Sequence, residues 1–305
     1  METLLSQRET IPRDPPPELC TRLLNQTSGW QMLPDTAVKG LAMARDPNCS
    51  IKEFASVIER DPKLAMEILR ITNSAYYGAR KPILNLRQAV TRLGFAHCRN
   101  VILAASLGSA MRKLPLASVW MQMLLWQHAV LTATIALAIN RTCNLGFIGE
   151  EFTAGLIHDV GRSLFGMIAP TDFAAADPLD FEESGDLLDR ERAVVRTDHC
   201  ELGAWFIAHN KLPEALVDVV RLHHTPSAPS ENRKLVATTA VSDHMANYLQ
   251  RQGTWDGYDP AENTAIEVLS ETAAFDGAVL CRVAQSIMSD ALREASCPNG
   301  PFRVS

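Results

Sequence analysis

Apolar positions recur along most of this chain at three- and four-residue intervals, the period of a helix that lays one face on a core. Strand-type alternation is scarce. The pattern predicts an all-α protein. Asp35 opens a helix to about Arg45. Ser50 and Glu53 form a capping box ahead of a stripe of Phe54, Val57 and Ile58. Asp61-Pro62 starts the next helix, whose stripe is Leu64, Ile68 and Ile71. Asn85 with Gln88 starts another that Gly94 ends, and Phe95 to Met111 continues as a helix until Lys113-Leu114-Pro115. From Trp120 the helices lengthen and histidines enter them. Further helices are expected over Cys200 to Ala208, Pro213 to His224, Arg233 to Gln250 and, as a pair, Pro260 to Arg293.

Breaks in the pattern divide the chain. The expected organisation is a mobile, Pro-rich leader over 1–28 carrying Pro15-Pro16-Pro17, and an N-terminal helical lobe over 29–115. A second lobe covers 116–251, C-terminal helices 252–297 and a frayed tail 298–305. Asn73-Ser74-Ala75-Tyr76-Tyr77-Gly78 reads as a turn whose tyrosines pack on neighbouring helices, with ligand contact as the alternative. The acidic text between Pro170 and Arg190 reads as a solvated connection.

Composition narrows the class. With 305 residues, 47% hydrophobic and 21% charged, the chain has the make-up of a soluble globular protein. Lys and Arg number 29 against 35 Asp and Glu, a formal charge of −6, so nucleic acid is not an expected partner. The basic cluster Arg80, Lys81, Arg87, Arg92 and Arg99 reads as a solvated helical face, with direct nucleic-acid binding as the alternative. Seven cysteines lie without a CxxC pair, which reads as reduced thiols in a cytoplasmic protein and not as a disulfide framework. The apolar run Met121 to Ile139 is interrupted by Gln122, Gln127, His128, Thr132 and Thr134. A buried core helix is expected there, and no membrane association.

The chemistry centres on Gly155-Leu156-Ile157-His158-Asp159-Val160-Gly161-Arg162, a His-Asp pair in apolar text between two glycines. A desolvated carboxylate needs a hydrogen-bonded neighbour or a metal ion, and the glycines let another helix or a ligand approach the backbone. Other candidates lie on successive predicted helices. His128 sits mid-helix, where a core histidine bonded to a carbonyl is the commoner case. His199 lies in a first turn behind Asp198 and Glu201, a position usually solvated. His223-His224 closes a helix, where C-terminal capping is the alternative. Asp243 lies among Val236, Ala240 and Ala246, or else pairs with His244 or Lys234. Together, His128, His158, Asp159, His199, His223, His224 and Asp243 can converge on one site. Nitrogen and carboxylate donors suit one or two divalent transition-metal ions, Fe, Mn, Zn or Ni, and one Asp between two ions is a common dinuclear device. Such a site would polarise a phosphoryl oxygen and acidify a water.

The order His, His-Asp, later histidines and a final Asp resembles the HD superfamily of metal-dependent phosphohydrolases. The segment LPDTAVKGLAMARDPNCSIKEFASVIERDPKLAMEILRITNSAYYGARKPILNLRQAVTRLGF is similar to the N-terminal half of an HDOD domain, the HD-related output domain of bacterial signalling proteins. WQHAVLTATIALAI, GLIHDVGRSLF and DHCELGAWFIAHNKLPEALVDVVRLHH are similar to its second half, from about Trp30 to Tyr248 overall. The resemblance implies a helical bundle with an N-terminal lobe and an HD-like lobe. It also implies that many relatives act as signalling or scaffolding modules after losing the HD ligands.

His128, His158, Asp159 and Asp243 match the HD metal set, and His199, His223 and His224 match extra histidines of the related HD-GYP phosphodiesterases. Those enzymes carry Lys where Arg162 stands, and their GYP signature is absent from TPSAPSEN after His224. Leu124 stands where some carry a Glu, so no third metal is implied. Two functions are expected from this text. The first is a cytoplasmic signal-transduction output or scaffold protein with a signalling partner. The second is a metal-dependent phosphohydrolase or phosphodiesterase for a nucleotide, cyclic dinucleotide or other phosphate-containing small molecule. In the second, Asp159 would bridge the metals and Arg162 would hold the phosphate.

Overall fold

The computed structural model describes residues 14–28, 32–73, 82–116, 118–182, 186–273 and 275–295. Every regular element among them is helical, as the periodicity predicts. The N-terminal part holds α1 (Pro17–Gln26), α2 (Asp35–Met43), α3 (Ile51–Ile58), α4 (Pro62–Thr72) and α5 (Leu86–Met111). The middle holds α6 (Val119–Cys143), α7 (Glu150–Ile157), α8 (Val160–Ile168), α9 (Pro170–Ala176), α10 (Leu187–Val195), α11 (His199–His209) and α12 (Glu214–Leu222). The described residues end on α13 (Arg233–Gln252), a 3-10 turn at Pro260–Glu262, α14 (Ala265–Ala273) and α15 (Gly277–Ala295).

Local chemistry sets these boundaries. The Ser50 hydroxyl accepts from Glu53 N while Glu53 Oε2 accepts from Ser50 N, a complete capping box for α3. Asp61 accepts from Leu64 N ahead of Pro62, and Asn85 accepts from Gln88 N. The expected break at Gly94 is a kink inside α5, where the backbone turns to φ +76 and ψ 167.

Ala37, Phe54, Ile58, Ile68 and Ile102 centre one core, built by α2 to α5. The largest core gathers α5, α6, α7, α8, α11 and α12 around Leu107, Trp126, Leu156, Phe165 and Phe206. A third packs α6 against α13, α14 and α15 through Ile135, Val241, Met245 and Met288. Helix α6 belongs to both of the last two and packs on α7, α13 and α15. Among the described residues it is the one helix long and apolar enough to cross a membrane, and 72% of its apolar window is buried inside the protein.

Two expectations are corrected. Residues Pro17–Gln26 of the leader form α1, which packs on α8 and buries Leu23 in the largest core; prolines before and at its first position favour helix initiation there. The acidic text after Pro170 is no solvated connection. It opens with α9 and then buries Asp177, Leu179 and Phe181. The tyrosine turn at 74–78, Arg80, Lys81 and the tail lie outside the described residues.

Candidate metal centre

Five helices deliver the candidate donors. His128 is on α6 and fully buried. His158 caps the C-terminus of α7, and Asp159 is the non-helical residue, φ −99 and ψ 19, that joins α7 to α8. His199 is the first residue of α11, behind Asp198, whose carboxylate accepts from Glu201 N. His223 caps the C-terminus of α12, His224 follows it, and Asp243 lies buried in α13. Glycine permits the approach. A Cβ on Gly161 would stand 1.8 Å from His199 O, and one on Gly155 would stand 2.7 Å from the Ala133 backbone of α6.

The side chains form two nests that share Asp159. In the first, His128 Nε2 lies 2.9 Å from Asp243 Oδ1 and 3.2 Å from His158 Nε2, which is itself 3.2 Å from Asp243 Oδ1. Asp159 Oδ2 faces this nest, 3.7 Å from His128 Nε2 and 3.6 Å from His158 Nε2. In the second, Asp159 Oδ1 lies 3.4 Å from both His199 Nε2 and His223 Nε2. His199 Nε2 is also 3.1 Å from His224 Nε2. All seven predicted donors are thus brought together.

The tautomers turn their acceptor nitrogens inward. His158 Nδ1 faces Gly155 O at 2.8 Å and His223 Nδ1 faces Val220 O at 3.0 Å; a carbonyl only accepts, so Nδ1 donates and Nε2 is the nitrogen turned to the centre, with a free lone pair whenever the ring is neutral. His199 Nδ1 donates to Glu191 Oε2 at 2.8 Å, and the same oxygen accepts from His199 N. A carboxylate behind a ligating imidazole fixes its orientation and raises its basicity.

Charge points the same way. Burial disfavours ionisation of Asp159 and Asp243, but His158 and Arg162 beside the first, and His158 and His128 beside the second, hold both carboxylates well below their ordinary range. Burial opposes a charge on His158, yet Asp159 and Asp243 overcome it and lift this imidazole to about 9. That is the field of a cation site, which a proton or a metal ion can satisfy. Burial pushes His223 and His224 down, leaving both as the neutral imidazoles that metals bind. Cys200 lies among the donors of the second nest; burial lifts its thiol to about 12, so a metal ion would have to displace its proton to gain this ligand.

The arrangement fits a metal. Asp159 Oδ1 and His223 Nε2 are buried without a hydrogen-bond partner, although they are 3.4 Å apart. Buried polar atoms left this way cost about 1–3 kcal/mol each, a cost that coordination would remove. The donors of three such groups, His128-His158-Asp159, His158-His223-Asp243 and His199-Cys200-His223-His224, each lie within 4.8 Å of one another.

Arg162 departs from the expected phosphate-binding role. It is 1% exposed, and its Nε and Nη2 donate to Asp177 at 2.8 and 3.0 Å while Nη1 donates to Asp159 Oδ2 at 3.0 Å. The guanidinium also lies over the Phe181 ring at 5.1 Å. Committed to two carboxylates inside the protein, it positions Asp159.

Sequence reasoning missed three residues. Glu191 orients His199, Asp177 anchors Arg162, and Phe181 stacks on His128 with ring centroids 4.9 Å apart. Leu179 and Phe181 take left-handed backbone with φ +56 to reach the core, a conformation rare for non-glycine residues. A cavity of about 350 Å³ reaches His223, His224 and Asp243 between α10, α13 and α14, with no Lys or Arg among its described lining residues.

An all-helical bundle that gathers histidine and aspartate donors defines the class: a helical protein with a candidate metal centre. The HDOD domain model matches residues 31–226, and the chain belongs to the HDOD domain family. It is 23% identical over 255 residues to an uncharacterized protein of Treponema pallidum (strain Nichols), covering 83% of this chain and 48% of that one; the chain thus spans about half the length of that curated relative. Among solved structures it is similar to an HDOD domain protein of unknown function from Geobacter sulfurreducens, with TM-score 0.69, 23% identity and coverage of 91% of this chain and 98% of that one. It is also similar to a candidate phosphohydrolase from Shewanella amazonensis SB2B, with TM-score 0.63, 20% identity and coverage of 90% and 98%.

Proposed function

We propose that this chain is a cytoplasmic signal-transduction output protein whose second lobe binds two divalent transition-metal ions, sharing Asp159, and passes their occupancy to a signalling partner. The observation that carries the reading is the division of the Asp159 carboxylate, with Oδ2 toward His128 and His158 and Oδ1 toward His199 and His223. One carboxylate between two sets of inward ring nitrogens suits a dinuclear centre, and donors that are chiefly nitrogen and oxygen suit Fe, Mn, Zn or Ni. The burial of Arg162 and the absence of any described Lys or Arg in the adjoining cavity favour an output role, because a phosphoryl group there meets no fixed cation of the chain.

Protein purified under reducing, chelator-free conditions is expected to carry up to two ions per chain by elemental analysis. Asp159→Ala should lower the content of both and His158→Ala that of the first nest. Metal-free protein that takes up no ion on reconstitution would sink the reading.

A second reading, a metal-dependent phosphohydrolase acting on a phosphate-containing small molecule, is favoured by the cavity that reaches His223, His224 and Asp243. Bound metal would supply Lewis acidity toward a phosphoryl oxygen. The chain's part is to hold Asp159 through Arg162, orient His199 through Glu191 and exclude water from His128 with Phe181. Turnover across a panel of phosphodiesters and phosphomonoesters, lost in Asp159→Ala, would make this reading the correct one. A fully metallated protein without turnover keeps the output role.

A further inference from the structure

A second cavity, of about 850 Å³, lies between the two lobes, away from the histidines. It is bounded by α2 and α5 on one side and by α7, the start of α12 and the connection from α11 to α12 on the other. Its size is within the range of small-molecule sites, roughly 300–1,000 Å³. Leu41, Leu103, Leu216 and Leu235 give it an apolar wall.

Three cations line the same cavity: Arg45 just after α2, Arg99 on α5 and Lys211 in the α11–α12 connection. Among the described residues none of these three side chains makes an ion pair or a hydrogen bond. The one acid in the lining, Glu150, already has its Oε2 occupied by Asn100 Nδ2 at 3.0 Å and Ile148 N at 3.1 Å. A chain of net charge −6 thus gathers three cations, Arg45 and Lys211 exposed and Arg99 half-buried, and a single carboxylate around one open cavity. Solvated surface cations usually point outward singly; cations that converge over an apolar wall fit an anion with an apolar body. Guanidinium forks match phosphate oxygens, and the leucine wall matches a flat ring system.

We propose that the interlobe cavity binds a phosphorylated small molecule of the nucleotide class, with the phosphates on Arg45, Arg99 and Lys211 and the base against the leucines. This holds whether or not the histidine centre carries metal. Glu150 and Thr153 of α7 line the cavity, and the same helix delivers His158 at its other end, so one rigid element touches both sites.

The test is a fluorescence titration of the 305-residue chain with a trinitrophenyl derivative of ATP, with ADP, pyrophosphate and adenosine as competitors. Saturable binding is expected, displaced by ADP better than by pyrophosphate or adenosine. Combining Arg99→Gln with Lys211→Gln should weaken it at least about tenfold, the scale of one lost hydrogen bond to a charged group. Ala42→Trp, which places a ring in the mouth of the cavity, should block binding, whereas Arg87→Gln, elsewhere on α5, and Asp159→Asn should leave it unchanged. Thermal midpoints of the variants close to that of the parent separate lost binding from lost folding. Absence of saturable binding overturns the proposal, as does equal affinity in the double variant. Pyrophosphate competing as well as ADP removes the apolar half of the site, adenosine doing so removes the phosphate half, and either overturns it as stated. Loss of binding in Asp159→Asn with none in the double variant would move the ligand to the metal centre.

Discussion

Holding one ring nitrogen fixes an imidazole's orientation and turns the other toward a metal site, and His158, His223 and His199 are held in this way. Gly155 O, Val220 O and the Glu191 carboxylate each take an Nδ1 hydrogen, so three Nε2 atoms face the Asp159 carboxylate. Glu191 is fully buried and donates nothing to the centre directly. Glu191→Gln should therefore keep the fold but lower metal affinity by about 10–100-fold, the usual effect of removing a carboxylate behind a histidine ligand. Competition against a calibrated chelator measures it, and unchanged affinity would show that His199 needs no such support. The donors themselves were legible because imidazoles and carboxylates stand out in apolar text. Glu191 and Asp177 were not, because acidic residues in acidic text ordinarily face water, and Phe181 was not, because its partner His128 lies on a distant helix. The burial of the two acids depends on Arg162 and His199 arriving from other elements.

At the scale of elements, the site depends on how closely α8 approaches α11. Gly161 sits against the first residue of α11, and Gly203 of α11 packs back on Gly161. Gly161→Ala would drive a Cβ into His199 O, where backbone cannot yield as a flexible side chain can. The expected cost is about 1–3 kcal/mol in chemical denaturation, with metal content reduced because His199 moves away from Asp159. Normal stability with normal metal content would refute the close approach. The glycines flanking the His-Asp pair were legible as permissive positions; which backbone fills the space was not. The solvated-connection expectation for Pro170 to Arg190 failed at this scale too. Asp177 gains a buried guanidinium and Phe181 gains the His128 ring, contacts that local text does not encode.

For the whole molecule, the two nests join α6, α7, α8, α11, α12 and α13, so ions held there would tie the largest core to the one behind α6. Ligands that bind only the folded state stabilise it, by about 2.7 kcal/mol at a hundredfold excess over Kd. Dialysis against a transition-metal chelator should lower Tm by several degrees, and restoring the ion should recover it. An identical Tm in both states would mean that the centre contributes no cross-linking. By itself the chain's text determined the helical class, the caps, the HDOD resemblance and the set of candidate donors, because periodicity, capping and residue type are local properties. The grouping of candidate donors into two nests around one carboxylate, the burial of Arg162 against two carboxylates and the cation-lined space between α2, α5 and the α11–α12 connection were decided only by tertiary structure. Each requires side chains tens to more than a hundred positions apart to share a few ångströms, and that proximity is set by how the helices pack.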